Sequence, residues 1–431
     1  MTAQIIRGNA RSLPLPDASV DLICTSPPYW ALRAYQDGGE AYDGQIGAEP
    51  TPAAYVDSLI DCTREWMRAL KPSGSMWINL GDKYARPGGG IDKAARNLSG
   101  AGRGTTGRQF ASAKGWDGPR EKSLIGLPWR YAIRCIDDLG LILRAEVIWS
   151  KPNGLPESVT DRVRRSHETW FHFTKAPRYF AAVDAIRETY APATASRYAS
   201  GYTQATSSSV GQTRNGVLRA DAGGPSATNP LGKSPGSVWE IATQPLKVPA
   251  ELGVDHFAAF PMEWPRRIIQ GWSPSGICTA CGEGRRPVSA AGEYVPAGHG
   301  QRDAAALRRR IPGEGRDPLS RHGEMASTLR TTAARTITGE ACTCPDTSAP
   351  TRPAVVLDPF GGTGTTALVA SVLGRRGVSV DMSADYCRLA AWRTTDPGQR
   401  AAAMQVEKPK PSPADTSGLS LFDHFEEESD T

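Results

Sequence analysis

The chain has 431 residues, 39% hydrophobic and 22% charged, with a formal net charge of +5, which excludes a mini-protein and leaves room for one large core plus insertions or a second module. Its 45 glycines and 34 prolines imply much loop, and the excess of positive charge is compatible with a polyanionic partner without specifying one. No apolar run approaches a membrane span, and the opening Met1-Thr2-Ala3-Gln4 lacks a basic-then-apolar leader, so the expectation is a cytoplasmic protein, in a bacterial or phage-infected cell, with no membrane partner.

Gln4-Ile5-Ile6-Arg7-Gly8-Asn9 reads as a short strand ending in a turn, and Ser19 to Cys24 as a second strand rich in β-formers. Tyr55, Leu59, Cys62, Trp66, Met67 and Leu70 recur at helical spacing, with Lys71-Pro72-Ser73-Gly74 expected to stop the helix before a strand from Ser75 to Leu80. A helix around Leu127 to Leu139, strands at Leu141 to Trp149 and Thr169 to Thr174, and a final unit from Ala354 to Trp392 continue the rhythm. The expected fold class is α/β, a mixed and mostly parallel sheet with helices on both faces. Three stretches break it, at about 84–122, 194–235 and 282–340. The first, with Lys83 at its edge, sets Arg86, Lys93, Arg96, Arg103, Arg108 and Lys114 among glycines, a composition that can wrap a phosphate backbone or serve as a solvated insertion. The resulting partition is 1–180, an irregular 181–247 expected to carry recognition of the target sequence, 248–277, a cysteine-bounded 278–344, 345–396, and a disordered tail over 397–431.

Val355-Val356-Leu357 runs into Asp358-Pro359-Phe360-Gly361-Gly362-Thr363-Gly364-Thr365-Thr366 and then a helix, an arrangement that lets a ligand approach the backbone at a strand's carboxyl edge. No Gly-Lys-Ser/Thr follows to hold a triphosphate. The next strand, Gly377 to Val380, ends in Asp381, which suits a ribose diol or, equally, a capping role. The second constellation, Thr25-Ser26-Pro27-Pro28-Tyr29-Trp30, follows a strand directly. Its prolines fix the backbone so that the Ser26 hydroxyl and Pro27 carbonyl can accept from a planar amine, with Tyr29 stacking on the ring that carries it. Taken alone, the segment could be a proline turn with an aromatic packed on it.

These two segments together resemble the amino-type DNA methyltransferases of the N4-cytosine and N6-adenine group, in the permuted order that puts the catalytic loop before the cofactor loop. Asn79-Leu80-Gly81-Asp82, the run from Trp149 through Lys151, Arg162 and His167-Glu168, and His256 to Pro261 are also similar to that family. The resemblance implies a Rossmann-like fold, S-adenosylmethionine as cofactor, duplex DNA with a flipped base as substrate, and a restriction endonuclease as a partner. It implies that Ser26, Pro27, Pro28 and Tyr29 are catalytic. It places Asn9 and Ala10 at the adenine edge of the cofactor, Phe260 and Phe360 around its methionine and adenine parts, Asp358, Gly361, Gly362, Gly364 and Thr365 in the cofactor turn, and Asp381 on the ribose. Asn9 departs from the usual Asp. Serine at the first motif position is associated with cytosine N4, whereas Asp or Asn is more usual for adenine N6. Cytosine C5 chemistry is disfavoured, because it uses a cysteine after proline and the chain has no Pro-Cys pair. A catalytically silent DNA-binding protein and an RNA methyltransferase remain as other readings.

Cys24, Cys62, Cys135 and Cys387 lie singly and read as small buried hydrophobes. Cys278, Cys281, Cys342 and Cys344 cluster in two short motifs; the first has metal-ligand spacing, and the set reads as a structural zinc site or as free or redox-active thiols.

Overall fold

The computed structural model describes residues 3–32, 36–37, 40–41, 44–85, 118–154, 156–192, 229, 231–254, 259–291, 335–344 and 348–407. Most of the three irregular stretches, the segment His256 to Ala258 and residues 408–431 lie outside these. The basic loop at 86–117 and most of the 181–247 region are therefore expectations without a structural account here.

Eight strands form one sheet: β1 (Gln4–Arg7), β2 (Val20–Thr25), β3 (Leu70–Leu80), β4 (Ile142–Ser150), β5 (His167–Thr174), β6 (Val238–Glu240), β7 (Val355–Asp358) and β8 (Arg376–Asp381). Their order is β1-β8-β7-β2-β3-β5-β4-β6. The run from β1 to β3 is parallel, β5 is antiparallel to both β3 and β4, and β6 returns parallel to β4. This is the mixed, mostly parallel sheet expected from the sequence.

Alternation along the strands sorts the core into two faces. Ile23, Met76, Ile78, Leu80, Phe171 and Phe173 join the cluster covered by α1 (Pro52–Ala69) and α2 (Leu127–Asp137). Helix α1 starts where Thr51 accepts from the Ala54 N–H at 3.1 Å with Pro52 at the first position, and its Tyr55, Leu59, Cys62 and Trp66 are all buried. The alternate residues, Trp77, Trp170 and His172, point to the opposite face under α3 (Glu263–Trp272). There Trp77 stacks on His172 at 4.6 Å, and Trp264 on Trp170 and Trp239 at 4.8 and 4.9 Å. Helix α4 (Thr365–Val372) packs on β7, β8 and α3, and α5 (Ala384–Thr395) on β1 and β8.

The structure differs from the sequence expectation in three places. Lys71 to Gly74 do not separate helix from strand: α1 ends at Ala69, β3 begins at Leu70, and the four residues form an irregularity between the Val20–Leu70 and Leu22–Ser75 pairings. A bulge tolerates Pro72, and Gly74 is required there because a Cβ would lie 2.6 Å from Leu70 and 2.9 Å from the Asp21 carbonyl. Residues 397–431 are not all tail: Pro397–Met404 is a helix, α6, capped by Asp396, whose carboxylate accepts from Gln399 N–H at 2.7 Å. Its Ala401 and Ala403 are buried, and Arg266 donates to the Ala403 carbonyl. Finally, the 181–247 segment is not uniformly irregular, since Val238–Glu240 is the edge strand β6.

The chain divides into two compact units, residues 1–182, 236–286 and 342–431 forming the first and 183–235 and 287–341 the second. The second contains a short 3-10 turn at Val183–Ile186 and most of a two-stranded ribbon of Arg286–Ala291 with Arg335–Ala341. Cys278, Cys281, Cys342 and Cys344 all belong to the first unit, and most of the 278–344 segment between them lies outside the described residues. No helix among the described residues is long and apolar enough to cross a membrane.

Candidate active site

Strands β2 and β7 are parallel neighbours, so Thr25 and Asp358 end side by side and the loops that follow them open at the same edge of the sheet. Thr25 Oγ1 donates to Asp358 Oδ1 at 2.6 Å. Asp358 also accepts from Phe360 N–H at 3.1 Å and from the Thr366 hydroxyl at 3.0 Å, and the Thr366 hydroxyl further lies 3.1 Å from the Cys24 carbonyl. Asp358 is thus the internal brace of the glycine turn. Burial pushes its carboxyl up to about 6, against the lowering effect of its hydroxyl donors.

The turn itself is built for a close approach. A Cβ at Gly361 would fall 1.8 Å from Ser379 Oγ, and Gly362 and Gly364 have φ of +49° and +71°. The Asp381 carboxylate at the end of β8 accepts from the Gly362 and Ser383 N–H groups, both at 2.9 Å. Phe360 is half-buried against Trp66 of α1, and Phe260 half-buried against Trp170 of β5, both edge to face at 5.8 Å. Arg393, inaccessible to solvent, donates to the Thr363 and Thr365 hydroxyls at 2.6 and 2.7 Å. The Thr365 hydroxyl therefore braces the start of α4. Asn9 makes a local turn, its side-chain oxygen accepting from Arg11 N–H at 2.9 Å, and the Ala10 carbonyl accepts from Trp66 Nε1 at 3.0 Å.

Across the edge, the Ser26-Pro27-Pro28-Tyr29 loop is held at several points. The Tyr29 hydroxyl lies 2.7 Å from both Asn79 Oδ1 and Glu168 Oε2, and the Ser26 hydroxyl donates to Asn79 Oδ1 at 3.2 Å. Asn79 is itself oriented, its amide donating to the Thr169 carbonyl at 3.1 Å, and Glu168 pairs with Lys151 at 2.5 Å. The Pro28 carbonyl accepts from Tyr55 OH at 2.8 Å, whereas the Pro27 carbonyl accepts no hydrogen bond among the described residues. The Tyr29 ring lies on Gly81, where a Cβ would meet it at 2.5 Å. Burial and the Glu168 charge hold the Tyr29 hydroxyl well above the usual phenol range, so it stays protonated.

Asn79, Gly81, Lys151 and Glu168 lie in blocks whose resemblance was visible in the sequence, but Asn79 and Gly81 meet Ser26 and Tyr29 through the pairing of β2 with β3, and Glu168, which holds Lys151, reaches Tyr29 through the pairing of β3 with β5, neither of which a local pattern reveals. Arg393 carried no sequence signal. The three thiols of Cys278, Cys281 and Cys342 come together, within 4.8 Å of one another, and Cys344 stands outside that trio.

The fold and the paired loops define a doubly wound α/β protein in which the loops after two adjacent parallel strands open at one edge of the sheet. The chain belongs to the DNA methylase family, whose description matches residues 20–278 and 346–391. It is 39% identical over 189 residues to the Type II methyltransferase M.SmaI of Serratia marcescens, and 38% identical over 188 residues to M.Cfr9I of Citrobacter freundii. Each match takes in 43% of this chain and 61% and 59% of the respective relative, so the chain spans about three-fifths of the length of these curated relatives. Among solved structures, the cytosine-N4-specific PvuII DNA methyltransferase aligns over 97% of this chain and 91% of its own, with 16% identity and a TM-score of 0.45.

Proposed function

We propose that the protein is an S-adenosylmethionine-dependent DNA methyltransferase that methylates the N4 amino group of a flipped cytosine in duplex DNA. The observation that carries this reading is the Thr25–Asp358 contact, which joins an amine-holding loop to a glycine turn at one sheet edge. The residues present fit the cofactor. The turn from Asp358 to Thr366 contains no basic side chain, which suits a ligand without phosphates, and Arg393 behind it is committed to Thr363 and Thr365. Asp381, whose carboxylate accepts from the Gly362 and Ser383 N–H groups, ends β8 beside the turn, where a carboxylate suits a ribose diol, and Phe360 and Phe260 offer half-buried rings. Bound there, S-adenosylmethionine supplies a methyl group on a positively charged sulfur.

The chain's own part is to make a weak nucleophile attack. The Ser26 proton is directed to Asn79, so the oxygen faces the amine as an acceptor; the Pro27 carbonyl is the second acceptor. Two acceptors hold both amino hydrogens and draw the nitrogen toward tetrahedral geometry as its electron pair forms the new N–C bond. Tyr29, neutral and pinned on Gly81, stacks on the base, and its hydroxyl ties the loop to Asn79 and the Glu168 carboxylate; the methylated nitrogen gives up its extra proton to solvent. Serine at position 26 favours cytosine over adenine. The setting we propose is duplex DNA in a bacterial or phage-infected cytoplasm, beside a cognate restriction endonuclease.

Nucleoside mass analysis of DNA incubated with the purified protein and S-adenosylmethionine tests this. N4-methylcytosine is the expected product. N6-methyladenine in its place overturns the choice of base, and absence of S-adenosylmethionine binding by calorimetry overturns the enzyme reading.

A further inference from the structure

We infer that Cys278, Cys281 and Cys342 form the core of a structural zinc site that clamps the two chain crossings just ahead of the cofactor turn, with Cys344 closing on the metal as fourth ligand. The three thiols are free and converge from segments 61 residues apart at their nearest, Cys281 and Cys342. Their sulfurs lie within 4.8 Å of one another; a tetrahedral zinc with bonds of about 2.3 Å needs sulfurs about 3.8 Å apart, so a small contraction suffices.

The local backbone is that of a metal knuckle. Gly282 N–H donates to the Cys278 carbonyl at 2.9 Å, and Gly282 has φ of +74°, which turns the chain straight back after Cys281. The knuckle is tied down on both sides, Cys278 N–H donating to the Glu283 carbonyl at 2.9 Å and Thr343 Oγ1 to Glu283 Oε2 at 2.7 Å. Cys344 follows Cys342 by two residues, with a bend at Thr343 between them.

The position gives the site its role. Ile277–Cys278 pairs antiparallel with Thr351–Arg352, and β7 begins at Val355, three residues further on. Thr279 N–H and Oγ1 both donate to the Pro350 carbonyl, at 3.0 and 2.8 Å. A metal here fixes the return of the chain after the 287–341 excursion and hence the strand that feeds Asp358. No water activation is involved, because four thiolates leave no open position.

Metal content and cobalt spectroscopy of the full chain, purified under reducing conditions with zinc supplied, test the site without any turnover assay. About one zinc per chain is expected, together with thiolate-to-cobalt charge-transfer bands and tetrahedral-type visible absorption on cobalt exchange. Cys278→Ser and Cys281→Ser are expected to lose the metal, and Cys344→Ser to keep it but release it to a chelating indicator at least tenfold faster. Circular dichroism identifies any variant that has failed to fold. Wild-type protein without zinc and without cobalt charge transfer overturns the proposal, as does a disulfide within the trio; unchanged release from Cys344→Ser overturns the fourth ligand.

Discussion

Gly81 and Asp358 show how single positions control the two loops. A methyl group at Gly81 would sit 2.5 Å from the Tyr29 ring, so Gly81→Ala has to push the ring off its seat while leaving the glycine turn at β7 untouched. Methyl transfer is expected to fall by on the order of 100-fold, as for a catalytic group displaced by about 1 Å, with S-adenosylmethionine affinity by calorimetry unchanged. Wild-type turnover in this variant would mean that the seat does not matter. Asp358 acts through protonation. Its folded carboxyl titrates near 6, above the ordinary 3.8, so the native state holds the proton more tightly than the unfolded chain. Its favourable contribution is complete below about pH 3.8 and is lost as pH rises through 6, leaving a cost on the order of 3 kcal/mol at pH 8. Asp358→Asn keeps the acceptor for Thr25 and Phe360. It is expected to be stabilised relative to wild type at pH 8 and to lose that advantage by pH 4 in denaturant melts; a pH-independent difference would contradict the buried charge. Both positions were visible in the sequence, Asp358 as part of the cofactor turn and Gly81 only as a member of a family-like block. The seat of Tyr29 on Gly81 arises from the adjacency of β2 and β3, which sequence does not display.

At the scale of elements, periodicity located what was amphipathic or strictly alternating. Helix α1, helix α2, strands β1 to β5 and the final β7-α4-β8-α5 unit all lie within a few residues of the expected positions. What escaped is instructive. Strand β6 has three residues, too few for a period, and α6 was hidden in a stretch judged by composition although Asp396-Pro397 is a helix-start signature. The Lys71 to Gly74 run looked like a stop because proline and glycine also mark bulges. The aromatic face under α3 carries an acid sensitivity of its own. His172 stacks on Trp77, lies 3.1 Å from Ser75 Oγ, and is pushed down to about 3, first by burial and then by the nearby Arg144 charge. Because the folded value is below the ordinary 6.5, its contribution is complete above pH 6.5 and is lost as pH falls toward 3, at about 1.4 kcal/mol per unit. His172→Phe retains a ring against Trp77 and is expected to remove that slope between pH 6 and 5. Urea melts at pH 7, 6 and 5 measure it, and an unaltered slope would show that His172 does not carry the acid sensitivity.

For the whole molecule, the decisive fact is that the proposed site is assembled from two ends of the chain: Thr25 and Asp358 are 333 residues apart and meet only because β2 and β7 are neighbours. Asp21 strengthens the same seam, accepting from Lys71 Nζ at 2.5 Å and from Val355 N–H at 2.8 Å, so that β2, the β3 bulge and the start of β7 share one buried carboxylate. A seam of this kind couples global stability to the relative placement of the two loops. Thr25→Val preserves shape but leaves Asp358 with one donor fewer in a solvent-free setting, which costs about 1–3 kcal/mol of stability. In a double-mutant cycle with Asp358→Asn at pH 8 the two changes are expected to be non-additive by about 0.5–3 kcal/mol, since the Thr25 donor is worth more against a buried charge than against the neutral amide. The same variant should weaken S-adenosylmethionine binding and slow methyl transfer together, although Thr25 belongs to the strand before the amine-holding loop rather than to the cofactor turn. If Thr25→Val lowers transfer alone, with cofactor affinity and unfolding midpoint unchanged, the two loops are independent and the seam is only packing.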